Sequence, residues 1–145
     1  MNLRILGILL FAASQSACGG STHYEYESLG EARQDKTAKA AAIPLFVPAS
    51  ARSIAGSYHV ETNDASIEFS FDKAHLGEVT AGFQRAEKNE ADRIAEEIGR
   101  RSWKQPPTTS SLDLYLRTGP EHAREVLAID KAASRAFWLG IGHID

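Results

Sequence analysis

The sequence predicts a small α+β domain in which helices cover one face of an antiparallel sheet. Three segments alternate apolar and polar residues, two more are short and apolar, and one stretch has helical spacing. Their order along the chain is strand, strand, helix, strand, strand, strand. Such an order favours one or two helices packed on an antiparallel sheet over alternating parallel units.

The first two predicted strands form a hairpin. Apolar side chains alternate with polar ones along residues 54–60 and again along residues 66–71. A period of two with one apolar face indicates a half-buried strand. Residues 62–65 between them tolerate left-handed turn conformations, so we expect the two strands to pair antiparallel.

The stretch from Asp72 to Lys104 predicts helical structure. Apolar residues recur at spacings of three and four from Leu76 onward, and Asp72 stands where a helix N-cap is needed. Gly82 and Asn89 weaken the pattern. One bent helix and two short helices therefore remain open as alternatives.

Three further strands are predicted in the C-terminal part. Residues 112–117 alternate, residues 125–129 are short and mostly apolar, and residues 135–141 are apolar on both sides. Residues 130–134 are typical of a hairpin turn. By contrast, residues 43–48 are an apolar run bracketed by prolines, and proline lacks the N–H that a ladder needs. We expect that run to lie extended on the domain rather than form a central strand.

The N-terminal residues 1–17 have the pattern of a secretory signal peptide. Arg4 precedes an apolar run of nine residues, 5–13. Nine helical residues span only about 14 Å, far less than the roughly 30 Å hydrocarbon core of a bilayer. The run is therefore too short for a transmembrane helix and fits a cleaved signal.

The residues after this run carry a resemblance to a known class. Ser16 and Ala17 precede Cys18, the only cysteine of the chain, and this resembles the lipobox of bacterial lipoproteins. Gln15 departs from the leucine that the class prefers. The resemblance implies that Cys18 becomes acylated and N-terminal, that the protein is anchored in the cell envelope facing the periplasm, and that the outer membrane is favoured because no aspartate follows. Ordinary signal-peptidase cleavage near Ser16 or Ala17 is the alternative.

Composition then divides the mature chain. Residues 18–42 have few large aliphatic side chains, which predicts a lipidated cysteine followed by a flexible tether. Residues 43–145 are predicted to form a single α+β domain. A second and weaker resemblance supports that boundary: Pro48, Ser50, Ala51 and Ile54 match a Pro-x-Ser-Ala-x-x-Ile motif of small uncharacterised proteobacterial lipoproteins. It implies nothing about chemistry.

Catalytic and metal-binding signatures are missing from the sequence. The chain has no Gly-x-Ser-x-Gly elbow, no Ser-x-x-Lys and no glycine-rich phosphate loop, and no two of its five histidines are spaced i+2 or i+4. A net charge of −3 without a contiguous basic arm argues against nucleic acid as a partner. We therefore predict a protein that is not an enzyme and binds no cofactor or metal.

One loop is a candidate interaction site. Glu121, His122 and Arg124 lie in the most polar connection between predicted strands, and loops carry function disproportionately. The predicted function is a noncatalytic envelope lipoprotein that binds another protein in the periplasm. An inhibitor or immunity lipoprotein is one alternative. A small periplasmic hydrolase that uses His122 with Glu121 or Asp130 is the less favoured one.

Overall fold

The computed structural model describes residues 20–36, 43–107, 112–119 and 124–142. Its centre is one antiparallel sheet of seven strands in the order β1-β2-β3-β7-β6-β5-β4, which confirms the predicted α+β class with a larger sheet than expected. The strands are β1 (Thr22–Ser28), β2 (Arg52–His59), β3 (Asp64–Ser70), β4 (Gln84–Arg85), β5 (Leu112–Arg117), β6 (Arg124–Asp130) and β7 (Arg135–Ile141). The helices are α1 (Leu29–Gln34), α2 (Leu76–Val79), which follows a short 3₁₀ helix (Lys73–His75), and α3 (Lys88–Gly99).

The five strands that the sequence predicted are all present. β2 and β3 form the expected hairpin, and β6 and β7 form the second one. Asn63 and Ser134 take positive φ angles of 54° and 51° in the two turns, a conformation that small polar residues reach most easily. The hydrophobic pattern of the sequence therefore predicted these strands correctly.

The helical stretch resolves into two short helices rather than one bent helix. The Asp72 side chain accepts a hydrogen bond from the N–H of Ala74 at 2.9 Å, so the predicted cap is confirmed. Strand β4 separates α2 from α3, and its neighbour Ala86 donates to the carbonyl of Leu114 at 2.8 Å. Helix α3 ends at Gly99, before the predicted limit at Lys104.

Both faces of the sheet are covered, whereas the sequence predicted a cover on one face only. β6 and β7 bury apolar side chains on alternate faces. On one face Leu127 and Trp138 pack with α1, α2 and residues 43–51. On the other face Val126 and Phe137 pack beneath α3. A strand that is apolar on both sides must be buried on both faces of the sheet, and residues 135–141 have that pattern in the sequence.

The predicted tether over residues 18–42 is wrong for the part that the structure describes. Residues 22–34 form β1 and α1, and β1 pairs with β2 along its length. Tyr24 and Tyr26 alternate with polar residues and are only 4% and 9% exposed. The folded domain therefore begins near Thr22 and not at Ile43, because two aromatic side chains bury enough surface to dock this strand.

The proline-bracketed run packs against the domain without forming a strand, as predicted, but it is not extended: the N–H of Val47 donates to the carbonyl of Pro44 at 3.2 Å and closes a turn. Residues 43–48 form no strand, and Phe46 contacts Phe69, Phe83 and Trp138 with ring centroids 5.3 to 6.4 Å apart. Within the described ranges, no helix is both long and apolar enough to cross a membrane.

Candidate functional site

A groove runs along the face of the sheet that α3 leaves open beside β1. Helix α3 packs on β5 and β6 of this face, while the side chains of β1 to β3 on the same face are polar except for Ala55. The groove encloses about 320 Å³. We call it the β1 groove; its charged lining residues are Glu25, Glu27, Glu31, Glu68, Lys104 and Arg135.

The segment that follows α3 forms one wall of the β1 groove. Trp103 fixes its start, because its indole N–H donates to the carbonyl of Ile98 at 2.7 Å and its ring packs edge-on against Phe137 at 5.2 Å. Arg135 fixes the segment further on by donating to the carbonyl of Gln105 at 2.9 Å. The wall is thus held by hydrogen bonds at both ends.

Glu68 lies at the floor of the groove and is only 3% exposed. Its carboxylate accepts from the N–H of Gln105 at 3.2 Å and lies 3.3 Å from Nη2 of Arg135. Burial raises the pKa of Glu68, and the neighbouring Arg135 opposes that rise only in part. A desolvated carboxylate with a cation beside it therefore joins the floor to the wall.

The rim of the groove is acidic. Lys104 Nζ lies 2.5 Å from Glu25, and this hydrogen bond raises the pKa of Lys104. Glu31 accepts from the backbone N–H of Glu27 at 2.7 Å. The lining holds four carboxylates against two cations, and each cation is paired with one carboxylate. The groove consequently has a net negative charge.

Strand β1 is an edge strand, and its outer side has no strand partner among the described residues. The N–H of Glu27 bonds the Glu31 side chain, so it points away from β2. In an antiparallel pair every second residue directs its backbone groups outward. His23 and Glu25 therefore present outward N–H and C=O groups beside the acidic rim.

Of the predicted interaction loop, the structure describes only Arg124, which is the first residue of β6. Arg124 Nη1 donates to both carboxylate oxygens of Glu97, at 2.7 and 2.9 Å, and so ties β6 to α3. Glu121 and His122 lie outside the described residues, as does Cys18. Asp130 stands at the other end of β6, where it accepts from the N–H of Ala133 at 3.0 Å and shapes the turn.

A second polar cluster is buried under the opposite face. Glu125 accepts from Arg117 at 2.5 Å and from the indole N–H of Trp138 at 3.0 Å. The Arg117 guanidinium also stacks over Phe83 at 4.2 Å. A Cβ on Gly119 would come within 1.9 Å of Glu125, so this cluster is closely packed. We assign it to structure, because the Glu125 carboxylate is engaged by both Arg117 and Trp138; Arg117 Nε is buried without a hydrogen-bond partner among the described residues.

The β1 groove was not predicted from the sequence. Ser66, Glu68 and Ser70 had the pattern of a solvent-facing strand surface, and Lys104 and Arg135 were far from them along the chain. The sequence around Glu68 does not indicate that its side chain is buried, because the residues that bury it are 100–107, which are distant along the chain. Only the tertiary fold brings these charges together.

Within the described part of the chain, no group of three or more His, Cys, Asp or Glu side chains is placed to hold a metal ion. Comparisons with protein-family models, with curated proteins and with solved structures gave no match.

Proposed function

We propose that this chain is a noncatalytic lipoprotein of the bacterial cell envelope that binds another protein through the β1 groove. Cys18 carries the lipid anchor, the folded domain faces the periplasm, and the outer membrane is the favoured location. The observation that carries the binding proposal is the position of the groove beside β1, an edge strand whose outer side has no strand partner among the described residues. This arrangement offers backbone groups and charged side chains to the same partner.

The contacts of Glu68 favour a structural role over proton transfer. A general acid must direct its carboxyl group toward a substrate. Glu68 instead directs its oxygens at Arg135 and the N–H of Gln105, which close the groove wall. Its raised pKa follows from burial, which is also expected of a carboxylate that only supports the wall.

The groove best fits an extended segment of a partner protein with basic side chains. A strand added to β1 would accept hydrogen bonds from the outward N–H groups of His23 and Glu25 and donate to their carbonyl oxygens. Its residues on the groove side would adjoin Glu25 and Glu27, where net negative charge favours lysine or arginine.

Site-specific photo-crosslinking in intact envelopes tests this proposal. A crosslinking residue at Glu27, on the groove rim, is expected to capture one discrete protein. The matched control is Asp92, an exposed carboxylate on α3, outside the groove. His23→Pro, which removes an outward N–H that the sheet does not use, should reduce the capture while the fold is retained. Identical products from both positions, or capture that His23→Pro leaves unchanged, would contradict the proposal.

A further inference from the structure

Strand β1 brings the anchor position close to one particular end of the sheet. Its first residue, Thr22, pairs with Tyr58 near the end of β2. Cys18 precedes Thr22 by four residues, and four fully extended residues span at most about 14 Å. The distance from the anchor to this corner of the sheet is therefore bounded by chain length alone.

The position of Ser21 shortens the connection further. Ser21 lines a cavity of about 210 Å³ together with His59, Asp64 and Arg101. The chain is thus already against the domain at Ser21, and only Gly19 and Gly20 lie between that residue and Cys18.

The same end of the sheet carries the turn between β2 and β3, residues 60–63. Val60 in this turn is 76% exposed, and among the described residues Leu45, in the run 43–48, is the other large apolar side chain with high exposure. A hydrogen bond fixes the end of this turn: the N–H of Gly142, which follows β7, donates to the side chain of Asp64 at 2.9 Å. The opposite end of the sheet carries the turn 131–134, roughly 20 Å away along the strands.

We propose that the turn 60–63 rests on the phospholipid surface, with Val60 at the level of the headgroups. This inference depends on the proposed acylation of Cys18. The short connection, and not lipid charge, sets the orientation, since Glu61 beside Val60 would oppose attraction to anionic headgroups. The acidic rim at Glu27 and Glu31 lies at the far end of β1, where a periplasmic partner can reach it.

Quenching by headgroup-labelled lipid measures this orientation. The acylated full chain is reconstituted in phosphatidylcholine vesicles that contain a nitroxide-headgroup lipid, with a fluorophore on either Val60→Cys or Ala132→Cys. Ala132 is the matched control, because it is exposed in the turn at the opposite end. We expect several-fold stronger quenching at position 60. Equal quenching at both positions, or stronger quenching at position 132, would overturn the inference.

Lengthening the segment between Cys18 and β1 separates the effect of the short tether from any affinity of the turn 60–63 for lipid. Ten Gly-Ser residues inserted after Gly20 should bring quenching at position 60 down toward that at position 132. Quenching that persists undiminished would show that the short connection does not set the orientation. The mass of the N-terminal peptide is measured on every sample. An unacylated Cys18 would overturn the lipid-anchor proposal and this inference together, whereas equal quenching on acylated protein overturns the orientation alone.

Discussion

The ring of Tyr24 lies across the backbone of Gly56 on the neighbouring strand. The two residues are direct partners in the β1–β2 register. A Cβ built on Gly56 would come within 2.4 Å of Tyr24 Cζ and within 2.5 Å of the carbonyl oxygen of Ser66. The missing side chain at Gly56 thus makes room for the aromatic ring that fastens β1 to the sheet.

Gly56→Ala should therefore loosen β1 and destabilise the domain. Overpacking of this kind costs about 1 to 3 kcal/mol in the free energy of unfolding, measured by urea titration. Gly77→Ala in α2 is the matched control, since an added Cβ there meets nothing within 4 Å, and it should be neutral or stabilising by about 0.5 to 1 kcal/mol. Equal effects of the two substitutions would contradict the proposed role of the Tyr24 contact.

The two buried tyrosines of β1 should respond in opposite ways to loss of the hydroxyl. Tyr26 donates to Asp35 at 2.5 Å, so Tyr26→Phe should lower the free energy of unfolding by about 1 kcal/mol. The Tyr24 hydroxyl is buried without a hydrogen-bond partner among the described residues, and burial raises its pKa. Tyr24→Phe should be neutral or stabilising. Urea titrations of both variants check this, and destabilisation by Tyr24→Phe would contradict it.

The raised pKa of Glu68 should appear as a pH dependence of stability. A carboxyl group whose pKa is higher in the folded state stabilises the fold fully below its unfolded pKa. That contribution is lost as pH rises through the folded pKa. The free energy of unfolding of the wild type relative to Glu68→Gln should thus decrease from about pH 4 toward neutrality. Urea unfolding of both proteins at each pH measures this difference. A difference that stays constant, or increases with pH, would contradict the assignment.

Removal of Arg117 should destabilise the domain strongly. Arg117→Met leaves the Glu125 carboxylate buried with the Trp138 N–H but without its cation. Breaking a buried ion pair in this way costs about 3 to 5 kcal/mol. Arg100→Met breaks an exposed pair with Glu96 on α3 and should change stability by less than about 1 kcal/mol. Thermal and urea unfolding compare the two, and a small effect at Arg117 would show that the pair is not a structural element.

Sequence patterns predicted the strands where apolar alternation was continuous, as in residues 54–60, and where a run was apolar on both sides, as in residues 135–141. They missed β1 because its alternation rests on Tyr24 and Tyr26 alone, and composition over residues 18–42 outweighed those two side chains. They missed β4 because a strand of two residues has no period. Its pairing with β5 depends on the tertiary position of β5.

The candidate site was harder to predict than the fold. Charged residues on a strand or in a loop have the same pattern whether they face solvent or a neighbouring segment. Glu68 and Arg135 meet because β3 and β7 are adjacent in the sheet, although they are distant in sequence. The sequence predicted Arg124 to lie in a loop. In the structure it pairs with Glu97, because α3 packs on β6.

Anchoring through Cys18 is the claim on which the membrane location and the orientation at the membrane depend. Mass spectrometry of the N-terminal peptide, from protein purified out of its native envelope, tests it directly. We predict a chain that begins at Cys18 and carries the mass of covalently attached acyl chains. A chain that retains residues 1–17, or an N-terminal peptide in which Cys18 is unmodified, would contradict the account.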